Sequence, residues 1–301
     1  MIKFNYFSKY LLLFVSILIM FNCNRSKTIE INFNPGAIMM KGYNAELYKP
    51  FDKIEISQFL FHPRADNSFS STGKVLQIPV DENIKIGALL HHAGEEYPFI
   101  LFFHGNGEIA SDYNDLAPFF NEKNINFMVV DYRGYGTSTG NPSASSMIHD
   151  AHKIFAFTKQ LMKEKNYKGK FIVMGRSLGS ASALELGSNY GDEIDALIIE
   201  SGFANLIPLL NLLGINSAAL GITEDKAFKH KDKIAKCLMA TLVIHAEKDH
   251  IIPYNDGKIL FENSKAQNKK MLTIPQANHN TIFMYGMDDY MKAVETLLQS
   301  L

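Results

Sequence analysis

The sequence predicts an α/β protein with a mostly parallel central sheet flanked by helices. Three observations carry that expectation. Short, largely apolar runs occur at 98–103, 127–130, 171–174, 196–199 and 240–245, with a further strand at 270–274, and apolar runs of this length match strands buried on both faces. Helical stretches separate them and are expected over 110–122, 144–163, 178–188, 255–263 and 288–300, so strand and helix alternate as parallel sheets require. Several runs also end in small or polar loops, His104-Gly105-Asn106-Gly107, Gly175-Arg176-Ser177-Leu178-Gly179 and Glu247-Lys248-Asp249. Chemistry-bearing residues thus collect at the carboxyl ends of strands, where such sheets assemble their sites. A chain of 301 residues with 47% hydrophobic content can bury one large core without a second domain. A net charge of −1 removes any electrostatic argument for a nucleic-acid partner.

The chain opens with a segment of another kind. Lys3 and Lys9 precede an apolar run over 11–21 broken only by Ser16. As a helix that run reaches about 17 Å against ~30 Å of bilayer hydrocarbon, which fits a signal h-region better than a membrane span. Cys23 follows at once and resembles the lipobox cysteine of a bacterial lipoprotein, although Met20-Phe21-Asn22 departs from the usual aliphatic residue followed by two small ones. The expectation is a signal peptide over 1–22, a tether over 23–50 and the folded domain over 51–301. Lipidation of Cys23 implies a lipid anchor in the cell envelope; secretion, or an uncleaved N-terminal segment, is the alternative. Cys237 then has no mature partner, and no disulfide framework is implied. Strands are expected near 53–56 and over 74–90, the latter antiparallel.

Gly175-Arg176-Ser177-Leu178-Gly179 is the most informative stretch, because it joins an apolar strand to the small-residue segment 180–186. A serine on so sharp a turn adopts strained backbone geometry, tolerable only where the residues two before and two after it lack bulk. The turn lifts the hydroxyl clear of the sheet and aims backbone N–H groups at any negative charge forming beside it. Upstream, the glycines of His104-Gly105-Asn106-Gly107 allow close approach of a backbone N–H. Downstream, Asp249 ends one strand, and His279 lies on the loop 276–280 after another.

Serine, acid and histidine in this chain order, with Asp131-Tyr132-Arg133-Gly134-Tyr135-Gly136 after the strand 127–130, resemble the α/β-hydrolase-fold serine hydrolases. The resemblance is to the small "alpha/beta hydrolase domain-containing" branch, and it covers about residues 75–301. It implies acyl transfer to water with no cofactor or metal, Ser177 as nucleophile, His279 as base, Asp249 as its orienting acid, and the backbone N–H groups of Asn106 and Leu178 as the oxyanion hole. Glu200, at the end of 196–199, is the competing acid. His250 is badly placed to bridge its neighbour Asp249 to Ser177. His104 is expected to shape the oxyanion loop, Asp131 and Arg133 to form scaffold beneath the elbow, and His91-His92 to be a strand-to-loop feature.

The insertion 203–236 is longer than a helical crossover needs. Its apolar run 206–213 reads either as a cap over an acyl pocket, with Leu206, Leu209 and Leu210 as substrate contacts, or as a core helix. Lys226, Lys229, Lys231 and Lys233 follow, and on the core-helix reading they form a solvated charged face. The functional expectation is hydrolysis of a small-molecule or lipid-like ester or thioester with an apolar acyl group. A serine peptidase or amidase, and a surface lipoprotein that keeps the fold for binding alone, are the alternatives.

Overall fold

The computed structural model describes residues 29, 31–66 and 72–301. Its centre is one sheet of eight strands: β1 (Lys74–Asp81), β2 (Ile84–His91), β3 (Phe99–Phe103), β4 (Asn126–Val130), β5 (Phe171–Arg176), β6 (Ala196–Glu200), β7 (Ala240–Ala246) and β8 (Lys269–Ile274). The spatial order is β1-β2-β4-β3-β5-β6-β7-β8. β1 pairs with β2, and β2 with β4, antiparallel. Every other neighbouring pair is parallel.

The helices are α1 (Ile54–Leu60), α2 (Ala117–Glu122), α3 (Ala144–Glu164), α4 (Ser180–Asn189), α5 (Leu206–Leu212), α6 (His230–Ile234), α7 (Tyr254–Asn263) and α8 (Ile282–Gln299). They cover both faces of the sheet, which is why the central strands read as unbroken apolar runs. Along β3, Phe99, Leu101 and Phe103 join one core with Ile148, Ala151 and Leu184 of α3 and α4. Ile100 and Phe102 point the other way, into a second core closed by Tyr290, Val294 and Leu297 of α8. Period-2 alternation places side chains on opposite faces, and here both faces are apolar.

Several expectations are corrected. Residues 53–56 belong to no strand: α1 begins at Ile54, and its buried residues Ile56 and Leu60 are four apart, on one helical face. The tether does not reach residue 50, because Phe33, Tyr48 and Phe51 are buried in the core. The helix expected over 110–122 is split into a 3₁₀ turn, Ala110–Tyr113, and α2, with a proline in the first turn of α2. α8 starts six residues earlier than expected and bends where Gly286 leaves helical geometry. Lys233 is not on a solvated face. It is buried, 2.8 Å from Glu185 and donating to the Tyr48 hydroxyl. The expected signal peptide and Cys23 lie outside the described residues. Among the described residues no helix is long and apolar enough to cross a membrane, and Cys237 is a buried free thiol.

Candidate active site

The turn after β5 has the strain that its sequence implies. Ser177 has φ of +51°, a left-handed conformation uncommon for any residue with a side chain. Its glycines are sterically required. A Cβ on Gly175 would stand 2.3 Å from the Gly179 carbonyl oxygen, and one on Gly179 would stand 2.1 Å from the Phe103 carbonyl oxygen at the end of β3. The turn can therefore pack only with both glycines present.

This turn brings Ser177 to two residues from distant loops. The Ser177 hydroxyl is 3.0 Å from His279 Nε2, and His279 Nδ1 is 2.7 Å from Asp249 Oδ2. A carboxylate can only accept, so Nδ1 carries the proton and Nε2 faces the hydroxyl with its lone pair. Asp249 Oδ1 accepts from the backbone N–H groups of Ile251 and Ile252 at 3.0 and 2.9 Å, which holds the acid rigidly. Burial pushes the Asp249 carboxyl up, but the hydrogen bond and charge of His279, together with those two N–H groups, outweigh it and hold the carboxyl below its usual range. His279 and Ser177 are both buried, at 5% and 8% exposure. Glu200 is committed elsewhere, and His250 is exposed.

What occupies Glu200 is Arg176, a residue that sequence reasoning passed over. The Arg176 guanidinium donates to Glu108 Oε1 at 2.9 Å, to Glu200 Oε1 at 2.7 Å and to the His279 carbonyl at 2.9 Å. Glu200 Oε2 accepts from the Tyr290 hydroxyl at 2.8 Å. Glu108 Oε2 accepts from the Gly105 N–H and the Tyr113 hydroxyl, both at 2.6 Å. One side chain thus ties together the Ser177 turn, the loop after β3, the end of β6 and the His279 loop. Burial raises the Glu108 carboxyl, but the Arg176 charge and the Tyr113 hydroxyl prevail and hold it at about 2. The readable signal for Arg176 is a charged residue at the end of an otherwise apolar buried strand.

Comparison with known proteins bears on the fold. Residues 95–224 match the Hydrolase_4 family model, described as serine aminopeptidase, S33. The chain is 31% identical to protein bem46 of Schizosaccharomyces pombe over 192 residues, 62% of either chain. It is 30% identical to the alpha/beta hydrolase domain-containing protein aho-3 of Caenorhabditis elegans over 194 residues, 62% of this chain and 54% of the relative. The matched stretch therefore spans less than two thirds of each of these relatives. Among solved structures, the Pyrococcus furiosus esterase Pf2001 superimposes with a TM-score of 0.65 at 16% identity, covering 80% of this chain and 98% of the esterase. The fold is that of an α/β-hydrolase.

Within this fold the loop after β3 is supported by the segment after β4. Tyr132 donates to the His104 carbonyl at 2.6 Å, and Tyr135 donates to Asn106 Oδ1 at 2.8 Å. Asp131 accepts from the Ala110 N–H at 2.8 Å. The buried His104 ring stacks edge-on against Tyr132, in keeping with a structural part. Arg133 does not sit beneath the elbow; its two hydrogen bonds to Asp150, each 2.7 Å, tie this segment to α3. His92 ends its strand-to-loop stretch against the Tyr167 hydroxyl at 2.8 Å.

Asn106, Ser177 and Leu178 line one largely apolar cavity. The insertion contributes Leu206, Leu209 and Leu213 to its wall, which are spaced three and four apart along one helical face. Leu210 is not a wall residue. It lies on the flank of the same helical face, one turn from Leu206, and is fully buried in the core. Glu224 accepts from the Leu206 and Ile207 N–H groups at 2.8 and 3.0 Å, fixing the start of α5 over the site. Leu60, Phe61, Met147, Phe203, Phe228 and Ile251 complete the lining, and none was anticipated as a substrate contact.

Proposed function

We propose that this protein is a serine hydrolase that cleaves a carboxylic ester or thioester with an apolar acyl group through Ser177, His279 and Asp249. The observation that carries this reading is the unbroken hydrogen-bonded relay from Asp249 through His279 to a strained serine, opening on an apolar cavity. In the reaction, His279 Nε2 takes the Ser177 proton as Oγ attacks the acyl carbon. Asp249 keeps the imidazole tautomer and stabilises the imidazolium without itself becoming protonated. The tetrahedral oxyanion is held by the N–H groups of Leu178 and Asn106, each worth about 3 kcal/mol in such sites. The carbonyl re-forms as the alkoxide or thiolate leaves with the proton from His279. Water, deprotonated by the same base, then releases the acid and regenerates Ser177.

Amide or peptide cleavage is the second reading, favoured by the description of the matching family. An aminopeptidase must hold a substrate ammonium, which calls for a carboxylate in the pocket. Among the described residues the lining contains none, and apolar acyl esters fit it better. A non-catalytic lipoprotein would have no use for the strain at Ser177 or for a buried acid aligned on a buried histidine.

The test is a panel of nitrophenyl esters and thioesters of two to twelve acyl carbons beside aminoacyl anilides. The expected result is turnover of esters with a maximum above acetyl. Turnover of the anilides alone would replace this reading with the amidase one.

For location we propose lipidation at Cys23 after removal of residues 1–22, a reading supported by the short h-region and the cysteine behind it. Two or more acyl chains suffice for stable membrane attachment. Mass spectrometry of the native N-terminus is expected to show an acylated Cys23 as first residue. An intact Met1, or an unmodified Cys23 in a processed chain, would refute the anchor without touching the hydrolase assignment.

A further inference from the structure

The side chain of Asn106 is gripped mainly by His62, which precedes the segment matched by the family. The His62 N–H donates to Asn106 Oδ1 at 2.9 Å, and the Tyr135 hydroxyl shares that oxygen. Because a backbone N–H can only donate, it fixes the amide orientation, and Asn106 Nδ2 must then donate to His62 Nδ1, 2.8 Å away. Arg64 Nε donates to the Gly107 carbonyl at 3.2 Å, and its guanidinium pairs with Asp112. The strap is itself pinned. Gly136 donates to the Arg64 carbonyl at 2.8 Å, and Asp66 donates back to the Gly136 carbonyl at 3.0 Å. Immediately before these residues, Leu60 and Phe61 are buried at 5% and 4% exposure and form part of the cavity wall that includes Ser177.

We propose that residues 60–64 are a specificity and positioning strap, with Leu60 and Phe61 forming one wall for a medium-length apolar acyl chain while His62 and Arg64 lock the loop that presents the Asn106 N–H to the oxyanion. This inference rests on the serine-hydrolase reading and names its substrate-selecting element. The physical basis is the shortness of the connection. Residue 61 touches the acyl side of the cavity and residue 62 holds the oxyanion loop, so no rotation of the strap can alter one without the other. His62 and Arg64 are positioning residues, since they act through Asn106 and Gly107. A misplaced oxyanion donor slows the chemical step and leaves ground-state binding unchanged, so the lock is read in kcat. Loss of a wall residue is read in chain-length preference.

The experiment uses the purified full chain and measures kcat and KM on acetyl and octanoyl nitrophenyl esters. His62→Ala is expected to lower kcat about tenfold or more on both esters with KM little changed, as expected when a transition-state donor is disturbed. His62→Asn, whose amide oxygen can take the place of Nδ1 as acceptor, is expected to recover most of that loss. Phe61→Ala is expected to lower the octanoyl-to-acetyl ratio of kcat/KM about tenfold, the scale of lost apolar contacts in a pocket. Phe61→Leu keeps most of the volume and is expected to shift the ratio less, in the same direction, so a poorly folded alanine variant does not prevent the test. Wild-type kcat in His62→Ala, equal loss in His62→Asn and His62→Ala, or an unchanged ratio in both Phe61 variants would overturn the strap. Absence of ester turnover in the wild-type chain would instead overturn the hydrolase reading on which it depends.

Discussion

Arg176 and Asp249 act on the same histidine from opposite ends, one through the His279 carbonyl and the other through its ring. They differ in how openly the sequence displays them. Ser177, Asp249 and His279 were legible because each follows an apolar strand and the chain order is informative. Arg176 was not, because its partners Glu108 and Glu200 lie in the loop after β3 and at the end of β6, and a charge next to an apolar run does not by itself name the carboxylates that bury it. Replacing Arg176 with Met leaves two carboxylates facing each other without their cation, a loss of about 3–5 kcal/mol for a broken buried pair. Thermal unfolding is expected to show a fall in Tm of several degrees or more, together with reduced kcat; an unchanged Tm would mean that the network contributes nothing. Asp249→Asn removes the acceptor that fixes the His279 tautomer, and kcat is expected to fall by about 10⁴. Glu200→Gln keeps an acceptor for Arg176 and is expected to cost less than tenfold. Steady-state kinetics on one ester compares the pair, and the reverse ranking would make Glu200 the triad acid.

At the scale of elements, the insertion and α1 show how far periodicity reaches. The apolar run 206–213 announced a buried helix but not its rotation. With leucines nearly all round, the core face and the cavity face cannot be told apart until the first turn of α5 is fixed by Glu224. Leu213 therefore stands where Leu210 was expected. The strand expected at 53–56 rests on four residues, Lys53-Ile54-Glu55-Ile56, that alternate in polarity, a pattern too short to distinguish period 2 from the period 3.6 of α1. Replacing Leu209 and Leu213 with Ala is expected to lower octanoyl-ester kcat/KM about tenfold or more relative to acetyl ester, while Leu210→Ala is expected to lower Tm and leave that ratio unchanged. Chain-length profiles and thermal melts of the two variants check this, and identical behaviour would mean that α5 has no cavity face.

Across the whole molecule, the alternation of apolar strands and helices made the mostly parallel sheet legible, including the carboxyl-edge position of the candidate site. The packing of residues 33–51 was not legible, because polar composition hid the three aromatic anchors Phe33, Tyr48 and Phe51. Tyr48 reaches a buried group in which Glu185 accepts from its hydroxyl at 2.7 Å and pairs with Lys233 and His152. Burial raises Glu185, but His152 and Lys233 more than compensate and hold it at about 2. Glu185 and Glu108 are thus both more acidic folded than unfolded. Their contribution is present above the ordinary carboxylate range near 4.5 and is lost as pH falls from there through about 2. Thermal melts are expected to show Tm nearly constant from pH 7 to 5 and falling steeply below pH 4. Glu185→Gln is expected to be less stable at pH 7 and to lose less on acidification, and a parallel acid slope in that variant would assign the loss to other groups.

The central claim is that Ser177 is a nucleophile activated by His279, and covalent labelling tests it most directly. A fluorophosphonate incubated with the full chain, followed by peptide mass spectrometry, is predicted to give one adduct on the Ser177 peptide. The adduct is predicted to be absent from Ser177→Ala and at least about a hundredfold slower to form in His279→Ala. Labelling at another residue, or equal labelling rates in the wild-type chain and His279→Ala, would contradict the account.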